Sequence, residues 1–148
     1  VTGCAFLDLF AGTGAVGLEA LSRGAARVVW VDESPMSLAA IVHNLRTCGI
    51  SGEGGVIPGR LPEALAGITG TFDLVFVDPP YAYTGEADLL AHPAWDRLTH
   101  PESLLIFERD IRRDPPGRAG LWTSYRSVRY GDTTLHFYRR QVAADEPA

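Results

Sequence analysis

Short apolar runs alternate with segments of helical periodicity along most of the chain, and two β-rich runs close it. Leu38, Ile41 and Leu45, for example, follow the spacing of a core-facing helix. The closing runs flank Gly131-Asp132, a two-residue hairpin turn. The alternation predicts an α/β fold with a mostly parallel sheet and a C-terminal antiparallel β-hairpin. Strands are predicted from Phe6, at Arg27 to Val31, Val56-Ile57, Phe72 to Val77, Ser103 to Phe107, Leu121 to Tyr130 and Thr133 to Arg140; helices are predicted after Gly14, from Pro35, at Pro62 to Ala66 and within Tyr83 to Leu98.

The apolar run Phe72 to Val77 is followed directly by Asp78-Pro79-Pro80-Tyr81. Its length and β-branched content predict a buried strand, and the two prolines cannot extend its ladder. Asp78 and Tyr81 are therefore expected at the carboxyl end of the strand, the edge where open α/β sheets bind ligands. The motif combines a carboxylate, a rigid turn with free carbonyls and an aromatic face. This combination indicates a binding site for a planar base that carries an amine. A turn that only stops the strand is the simpler interpretation of these four residues.

A second informative stretch follows the first predicted strand, where Gly12, Gly14 and Gly17 satisfy the G-x-G-x-x-G pattern. Glycines there let backbone amides approach a ligand where a Cβ would collide. Asp32 ends the next strand, about twenty residues beyond Gly12, where an acid that binds a ribose is expected. The pattern predicts a nucleoside-bearing cofactor on a βαβ unit and leaves its identity open. Tight helix packing alone explains Gly17 better than it explains Gly12 or Gly14.

Composition limits the class of protein. With 148 residues, of which 46% are apolar, the chain can form one globular domain, expected over residues 1–140 with a flexible tail at 141–148. Its apolar runs are only strand-length, so neither a membrane span nor a secretory segment is predicted, and a cytoplasmic setting is expected. The formal net charge of −5 is the wrong sign for a general nucleic-acid binder. A polynucleotide substrate would have to be attracted by local arginines or by an arm outside this sequence.

These features resemble the class I S-adenosylmethionine-dependent methyltransferases, and more closely the bacterial 16S ribosomal RNA guanine-N2 methyltransferases. The glycine turn indicates only the superfamily, whereas Asp-Pro-Pro-Tyr narrows it to enzymes that act on planar exocyclic nitrogens. The resemblance implies a Rossmann-like class I methyltransferase sheet with helices on both faces. The segments that carry it, between Phe6 and Arg140, are residues 7–14 and 17–24, Val31-Asp32, Asn44-Leu45, the Asp78 to Tyr81 turn and residues 129–133.

The resemblance also implies the site and its ligands. S-adenosylmethionine is the expected cofactor, and small-subunit ribosomal RNA, free or in an assembled or assembling particle, is the expected partner. No metal or membrane is implied, and a monomer is expected. The residues implied in cofactor binding are Asp8, Gly12 and Gly14 at the methionine end, Asp32 at the ribose, and Phe10, Ala11, Glu33, Arg60 and Leu61; those implied in catalysis are Asp78, Pro79, Pro80 and Tyr81.

Three departures from the family pattern bear on these expectations. The family begins with a basic amino-terminal arm that this sequence does not contain, so RNA binding by this chain is expected to be weak. The family's ribose-binding acid is usually Glu, whereas Asp32 reaches one methylene less. Relatives often carry a small polar or acidic residue near the adenine, whereas Gly59-Arg60-Leu61 stands here. A backbone amide of Arg60 or Leu61 is therefore the expected contact.

The chemistry expected of the motif follows from the amine. A guanine or adenine amino group is a poor nucleophile because its lone pair is delocalised into the ring. Asp78 and the Pro79 carbonyl would each accept one amino hydrogen and so direct the lone pair toward the methyl donor. Tyr81 would stack on the base, a contact worth about 1–3 kcal/mol. The target nucleotide must leave its stack to enter such a pocket.

Other polar residues carry weaker predictions. Glu108 follows the fifth strand at the same sheet edge, where a surface role is favoured over a place in the pocket. Arg109 to Arg118 is the concentrated basic stretch, and a solvated loop balanced by Asp110 and Asp114 is favoured over an RNA contact. The four histidines have no ligand spacing, so a zinc site is not expected.

Three alternatives remain open on the residues alone. An adenine-N6 methyltransferase acting on DNA or RNA uses the same turn, but the chain has no obvious target-recognition domain. A nicotinamide-dependent oxidoreductase uses the same glycine pattern, but its substrate domain and hydride-handling acid are not visible. The third alternative is a non-catalytic module that binds the cofactor. The residues do not specify which nucleotide is methylated.

Overall fold

The computed structural model describes residues 1–50 and 54–141. Its strands are β1 (Ala5–Leu9), β2 (Arg27–Asp32), β3 (Gly54–Pro58), β4 (Phe72–Val77), β5 (Thr99–Asp110), β6 (Arg118–Ala119), β7 (Trp122–Tyr130) and β8 (Thr133–Arg140). Its helices are α1 (Ala15–Ser22), α2 (Pro35–Thr47), α3 (Glu86–Leu90) and α4 (Trp95–Leu98), with a 3-10 helix at Glu63–Gly67. The strands form one sheet in the order β3-β2-β1-β4-β5-β8-β7-β6.

The sheet is parallel from β3 to β5 and antiparallel where β8, β7 and β6 complete it. The predicted fold, a mostly parallel Rossmann-like sheet with a C-terminal antiparallel hairpin, is therefore confirmed. The strand order reverses between β1 and β4. Such a switch point opens a crevice at the carboxyl ends of the two strands. Leu9 lies beside Val77 in the register, so the glycine turn and Asp78 leave the sheet next to each other.

Several later elements differ from the predicted bounds. β5 extends beyond both ends of the predicted strand Ser103 to Phe107. Its carboxyl end continues to Asp110 because β8 pairs with it that far and satisfies the backbone of this charged segment. The solvated loop predicted at Arg109 to Arg118 therefore contains the end of β5 and the first residue of the short strand β6. The helical segment predicted within 83–98 is divided into α3 and α4.

Both faces of the sheet are covered by helices, as the resemblance implies. Successive strand residues point to opposite faces, so β2 contributes to both halves of the core. Val28 and Trp30 pack with residues of α1 and α2 on one face. Val29 and Val31 pack with residues of α3 and α4 on the other. No described helix is long and apolar enough to cross a membrane.

The predicted tail at 141–148 is described only at its first residue. The backbone N–H of Gln141 donates to the Leu121 carbonyl at 2.7 Å, so this residue still belongs to the end of the sheet. The rest of the predicted tail lies outside the described residues.

Trp30 links the core to the glycine turn. Its side chain is fully buried, and its indole N–H donates to the Gly14 carbonyl at 3.1 Å. Gly17 of α1 lies against the same ring, where a Cβ would collide with the indole and with Val28. Gly17 is therefore needed for the close packing of α1 on β2, in agreement with the packing interpretation of this glycine.

Gly17→Ala is expected to lower the free energy of unfolding by about 1–3 kcal/mol, the usual cost of overpacking a core. Gly67→Ala is the matched control, because a Cβ there would have no heavy atom within 4 Å. Urea denaturation of both variants measures the difference. A Gly17→Ala protein as stable as the wild type would show that the contact with Trp30 is easily relieved.

Candidate active site

Two cavities open side by side at the carboxyl edge of the sheet, around the switch point between β1 and β4. The larger cavity has a volume of about 500 Å³ and the smaller about 240 Å³. Asp78 lines both cavities. Pro80 faces the larger cavity, whereas Pro79 and Tyr81 face the smaller one. The Asp-Pro-Pro-Tyr turn therefore separates the two spaces at the carboxyl end of β4, the position that the sequence predicted for it.

The larger cavity brings together many of the residues predicted to bind a cofactor. Four predicted residues are not among the described residues that line it: Ala11, Gly12 and Gly14, which lie in the turn after β1, and the buried Asp8, which is hydrogen-bonded to α1. The predicted residues that line the cavity are Phe10, Asp32, Glu33, Arg60 and Leu61. Those that sequence reasoning missed are Ser34, Ser37, Gly59 and Tyr83. The two serines lie at the start of α2, shortly after Asp32. Their closeness in sequence to this predicted ribose-binding acid could have identified them as residues of the site.

The carboxylate of Asp32 closes the glycine turn. Its Oδ2 accepts from the Gly12 N–H and its Oδ1 from the Ser34 N–H, each at 2.9 Å. Gly12 has a φ of +59°, which favours glycine, and no heavy atom lies within 4 Å of the position a Cβ would take. The backbone of the turn is thus open to a ligand. Asp32 has a structural role in this turn in addition to the ribose contact that the resemblance implies.

Asp8 is a buried acid with an unusual proton affinity. It is 2% exposed, and its Oδ2 accepts from the Gly17 N–H at 3.1 Å. Burial raises the pKa of Asp8 to about 7, against the lowering effect of the Gly17 hydrogen bond, and the charges of Asp78 and Asp32 add to the rise. The Asp8 carboxyl is therefore close to the midpoint of its titration at neutral pH. A cation placed near this carboxyl would favour its charged form.

Phe10 and Tyr83 form an aromatic wall of the larger cavity. Phe10 has a φ of 59°, a left-handed conformation that bulky residues rarely adopt. Its ring meets Tyr83 edge to face, with centroids 4.9 Å apart. Burial raises the pKa of Tyr83 to about 12, with the charge of Glu86 adding to it, so the hydroxyl stays protonated and donates to the Gly85 carbonyl at 3.2 Å. Strained backbone of this kind is concentrated at ligand-binding sites.

Arg109 holds the motif turn from inside the protein. Its side chain is 1% exposed, and its Nε and Nη2 donate to Oε2 of Glu86 in α3 at 3.1 and 2.8 Å. Its Nη1 donates to the Pro80 carbonyl at 2.9 Å, and Nη2 also donates to the Tyr83 carbonyl. The prediction of a solvated loop is wrong for this residue, because β5 continues through Arg109 and the side chain is buried.

Two further arginines contact the turn from its outer side. Arg113 donates to the Tyr81 carbonyl at 2.9 Å and to the Tyr83 carbonyl at 2.7 Å. The guanidinium carbons of Arg112 and Arg113 each lie 5.4 Å from the centroid of the Tyr81 ring. The side chain and the backbone N–H of Arg112 also donate to Asp110, each at 2.9 Å. These hydrogen bonds lower the pKa of Asp110 to about 2. The arginines of this stretch therefore stabilise the conformation of the motif.

Comparison with solved structures defines the class of fold. A conserved hypothetical protein of Streptococcus pyogenes superposes with a TM-score of 0.83 at 30% identity, over 95% of this chain and 88% of that one. A ribosomal protein L11 methylase from Lactobacillus delbrueckii subsp. bulgaricus superposes with a TM-score of 0.80 at 22% identity, over 96% of this chain and 72% of that one. The fold is that of the class I methyltransferases.

Comparison with known sequences gives the family. The model of the family described as Conserved hypothetical protein 95 matches residues 1–139. Ribosomal RNA small subunit methyltransferase D of Escherichia coli (strain K12) is 29% identical over 145 residues, 96% of this chain and 71% of its own length. YlbH of Bacillus subtilis (strain 168), named as a candidate rRNA methyltransferase, is 30% identical over 139 residues, 91% of this chain and 75% of its own length. The chain belongs to this family of rRNA methyltransferases, which confirms the resemblance drawn from the sequence.

Glu86→Gln is expected to lower the free energy of unfolding by about 3–5 kcal/mol, because it leaves the buried Arg109 guanidinium without a countercharge. Glu19→Gln is the matched control, since its 2.8 Å pair with Arg23 is exposed and worth at most about 0.5 kcal/mol. Urea denaturation at neutral pH compares the two variants. Similar small losses for both would contradict the role assigned to the buried pair.

The Glu86 pair also predicts a pH dependence of stability. Burial acts to raise the pKa of Glu86, but hydrogen bonds from Arg109 and the backbone, with the charges of Arg109 and Arg113, bring it below its ordinary value. The charged carboxylate therefore stabilises the folded protein above the ordinary glutamate pKa, and this contribution is lost as the pH falls through the lowered folded value. The stability difference between wild type and Glu86→Gln is expected to be full near neutral pH and to shrink below about pH 4. Urea denaturation at stepped pH measures it, and a constant difference down to pH 3 would argue against this assignment.

Proposed function

We propose that this chain transfers a methyl group from S-adenosylmethionine to the exocyclic N2 of a guanine in small-subunit ribosomal RNA. The observation that carries the proposal is the position of Asp78, which lines both the cavity suited to a cofactor and the smaller cavity beside it. A group at that boundary can contact an acceptor amine that approaches a methyl donor in line. Family membership and the small-subunit methyltransferase D of Escherichia coli support rRNA as the substrate.

The larger cavity fits the cofactor that the class implies. Asp32 supplies a carboxylate for ribose hydroxyls, and Phe10 and Leu61 supply apolar surface for a nucleoside. The open space at the Gly12 Cα lets a ligand approach the backbone of the turn. The ammonium group of the methionine end, if bound near Asp8, would favour the charged form of this carboxyl and lower its raised pKa. When bound, the cofactor supplies a methyl group activated by a positively charged sulfur.

The motif residues would act on the target amine. Asp78 and the Pro79 carbonyl would accept the two amino hydrogens and direct the lone pair toward the methyl group. Among the described residues, no donor lies within hydrogen-bonding distance of the Pro79 carbonyl, whereas the carbonyls of Pro80 and Tyr81 already accept from arginines. Tyr81, 53% exposed, is available to stack on a base that has left its helix.

Two of the alternative functions considered from the sequence compare with the family as follows. The nicotinamide-dependent oxidoreductase has no support from the family to which the chain belongs. The adenine-N6 methyltransferase shares the fold and the motif, so it is the alternative outcome of the experiments below. We further propose that the enzyme acts as a monomer and without a metal.

Asp78→Ala is expected to slow methyl transfer by about 10²–10³-fold, the usual effect of removing one group that stabilises the transition state. Affinity for S-adenosylhomocysteine should change little, because the lost hydrogen bond is to the target amine. Single-turnover transfer to small-subunit rRNA, normalised to the folded fraction from thermal melting, measures the effect, and calorimetry measures cofactor affinity. Unimpaired transfer by folded Asp78→Ala protein would mean that the motif is only a strand-stopping turn.

Tyr81→Ala is expected to reduce transfer strongly and Tyr81→Phe only mildly, since stacking needs the ring and not the hydroxyl. The Arg113 hydrogen bond to residue 81 involves the backbone carbonyl, so both variants keep it, but Tyr81→Ala loses the packing of two arginines on the ring. Transfer is therefore normalised to the folded fraction of each variant. Tyr125→Ala, which removes another exposed tyrosine from the hairpin, is the control. Equal loss of transfer in Tyr81→Phe and Tyr81→Ala would point to the hydroxyl and against stacking.

Cofactor binding is expected to tighten as the pH rises from about 6 to 8, because Asp8, with a pKa of about 7, must be charged to attract the ammonium group. Binding should also release protons, which calorimetry in buffers of different ionisation enthalpy detects. Asp8→Asn keeps an acceptor for the Gly17 N–H and should bind S-adenosylhomocysteine with little dependence on pH in this range. The same pH dependence in wild type and Asp8→Asn would remove Asp8 from the methionine end of the site.

A further inference from the structure

Glu108 lies beside Asp78 at the carboxyl edge of the sheet. Phe107 pairs with Val77 in the parallel register of β5 and β4, so Glu108, which continues β5, lies next to Asp78, which follows β4. Both acids line the smaller cavity, together with Tyr81 of the motif. The surface role expected for Glu108 from the sequence is therefore wrong, because its partly buried side chain faces a cavity of the candidate site.

These two carboxylates have no donor from the described part of the chain. Burial raises the pKa of Asp78, and the charge of Arg109 opposes this rise. Burial and the charge of Asp78 both raise the pKa of Glu108. Neither carboxylate accepts a hydrogen bond from the described residues. The Arg109 guanidinium is directed instead at Glu86 and at backbone carbonyls of the turn. Two adjacent, partly buried acceptors without donors would be stabilised by a ligand with two adjacent N–H groups.

The smaller cavity favours a flat organic ligand over a cation. Within the ranges 1–50 and 54–141, no group of three or more His, Cys, Asp or Glu side chains is arranged to hold a metal ion. The exposed ring of Tyr81 supplies an aromatic wall, on which a base can stack. The cavity is also lined by Asp110, whose carboxylate already accepts hydrogen bonds, and by Asp132 and Thr133. An aromatic ring with hydrogen-bond donors along one edge would use both the tyrosine ring and the two carboxylates that lack donors.

We propose that Glu108 selects guanine by accepting its N1–H, while Asp78 and the Pro79 carbonyl accept the N2 hydrogens. The inference rests on the proposed function and names the group that sets its base specificity. Guanine presents N1–H and N2–H₂ as neighbouring donors. Adenine presents an N6 amine beside N1, which is an acceptor, so its lone pair would face the Glu108 carboxylate. A site built to accept an N–H strongly rejects an analogue that lacks it.

2-Aminopurine tests this role, since it keeps the N2 amine of guanine but lacks both the N1 proton and O6. The loss of O6 is the same for every variant, so a change in the ratio of guanine to 2-aminopurine transfer on substitution of Glu108 reports on N1. Mass spectrometry of methylated small-subunit rRNA first locates the target guanine, and short RNAs are made with guanine or 2-aminopurine there. For the wild type, transfer to guanine is expected to exceed transfer to 2-aminopurine by roughly 100-fold or more. Glu108→Gln offers an amide N–H to the unprotonated N1 of 2-aminopurine. The ratio of transfer to guanine over transfer to 2-aminopurine is therefore expected to fall to about 10 or less in this variant.

A second readout does not depend on methyl transfer. The fluorescence of 2-aminopurine rises when the base leaves its stack, and Glu108→Gln is expected to bind the 2-aminopurine RNA more tightly than the wild type does. Glu102→Gln changes an exposed glutamate at the other end of β5, and it should keep the wild-type ratio and affinity. Thermal melting of each variant gives the folded fraction.

The possible results distinguish a wrong role for Glu108 from a wrong proposed function. A wild type that methylates 2-aminopurine as fast as guanine overturns the role of Glu108, whether or not the variant folds, and so does an unchanged ratio in folded Glu108→Gln protein. Either result leaves the proposed function intact if N2-methylguanosine is formed. Formation of N6-methyladenosine, or of no methylated nucleoside, overturns the proposed function and the role of Glu108 with it.

Discussion

Parallel pairing of β1 with β4 is the constraint on which the candidate site depends. Leu9 and Val77 are neighbours in the register, so the glycine turn and the Asp-Pro-Pro-Tyr turn leave the sheet at one point. The next pair along the sheet, Val77 and Phe107, brings Glu108 to the same edge. A slip of one residue in either pairing would reverse the faces to which these side chains point. The alternation of buried side chains along the strands therefore determines which side chains lie at this edge of the sheet, as well as which residues form the core.

Backbone contacts then fix the two turns that the sheet brings together. Asp32 holds the glycine turn through the N–H of Gly12, and Arg109 holds the motif turn through the carbonyl of Pro80. Burying the Arg109 charge is costly, and Glu86 offsets that cost at 2.8 Å. A site held by supporting residues of this kind can keep its reacting groups within the narrow geometry that catalysis needs. The charged network explains why arginines lie beside the candidate site: Arg109 and Arg113 hydrogen-bond to carbonyls of the motif turn.

The sequence predicted the sheet and the candidate site far better than the network that supports them. Apolar runs and glycine spacing depend on local physics, so they located the strand ends where Gly12, Asp32 and Asp78 lie. Arg109 was missed because its burial depends on how far β8 extends β5, a pairing between distant segments that charge patterning does not reveal. Glu108 was placed at the right edge, but its exposure could not be judged without its neighbours on β4 and β8.

Methylation of a guanine N2 in small-subunit rRNA, directed by the Asp-Pro-Pro-Tyr turn at the end of β4, is the proposed activity of this chain. The most direct measurement is nucleoside mass spectrometry of that RNA from cells that lack the gene, with and without complementation by the wild-type gene. We expect one N2-methylguanosine per RNA to disappear on deletion and to return on complementation. Loss and return of N6-methyladenosine, or an unchanged nucleoside profile, would contradict it.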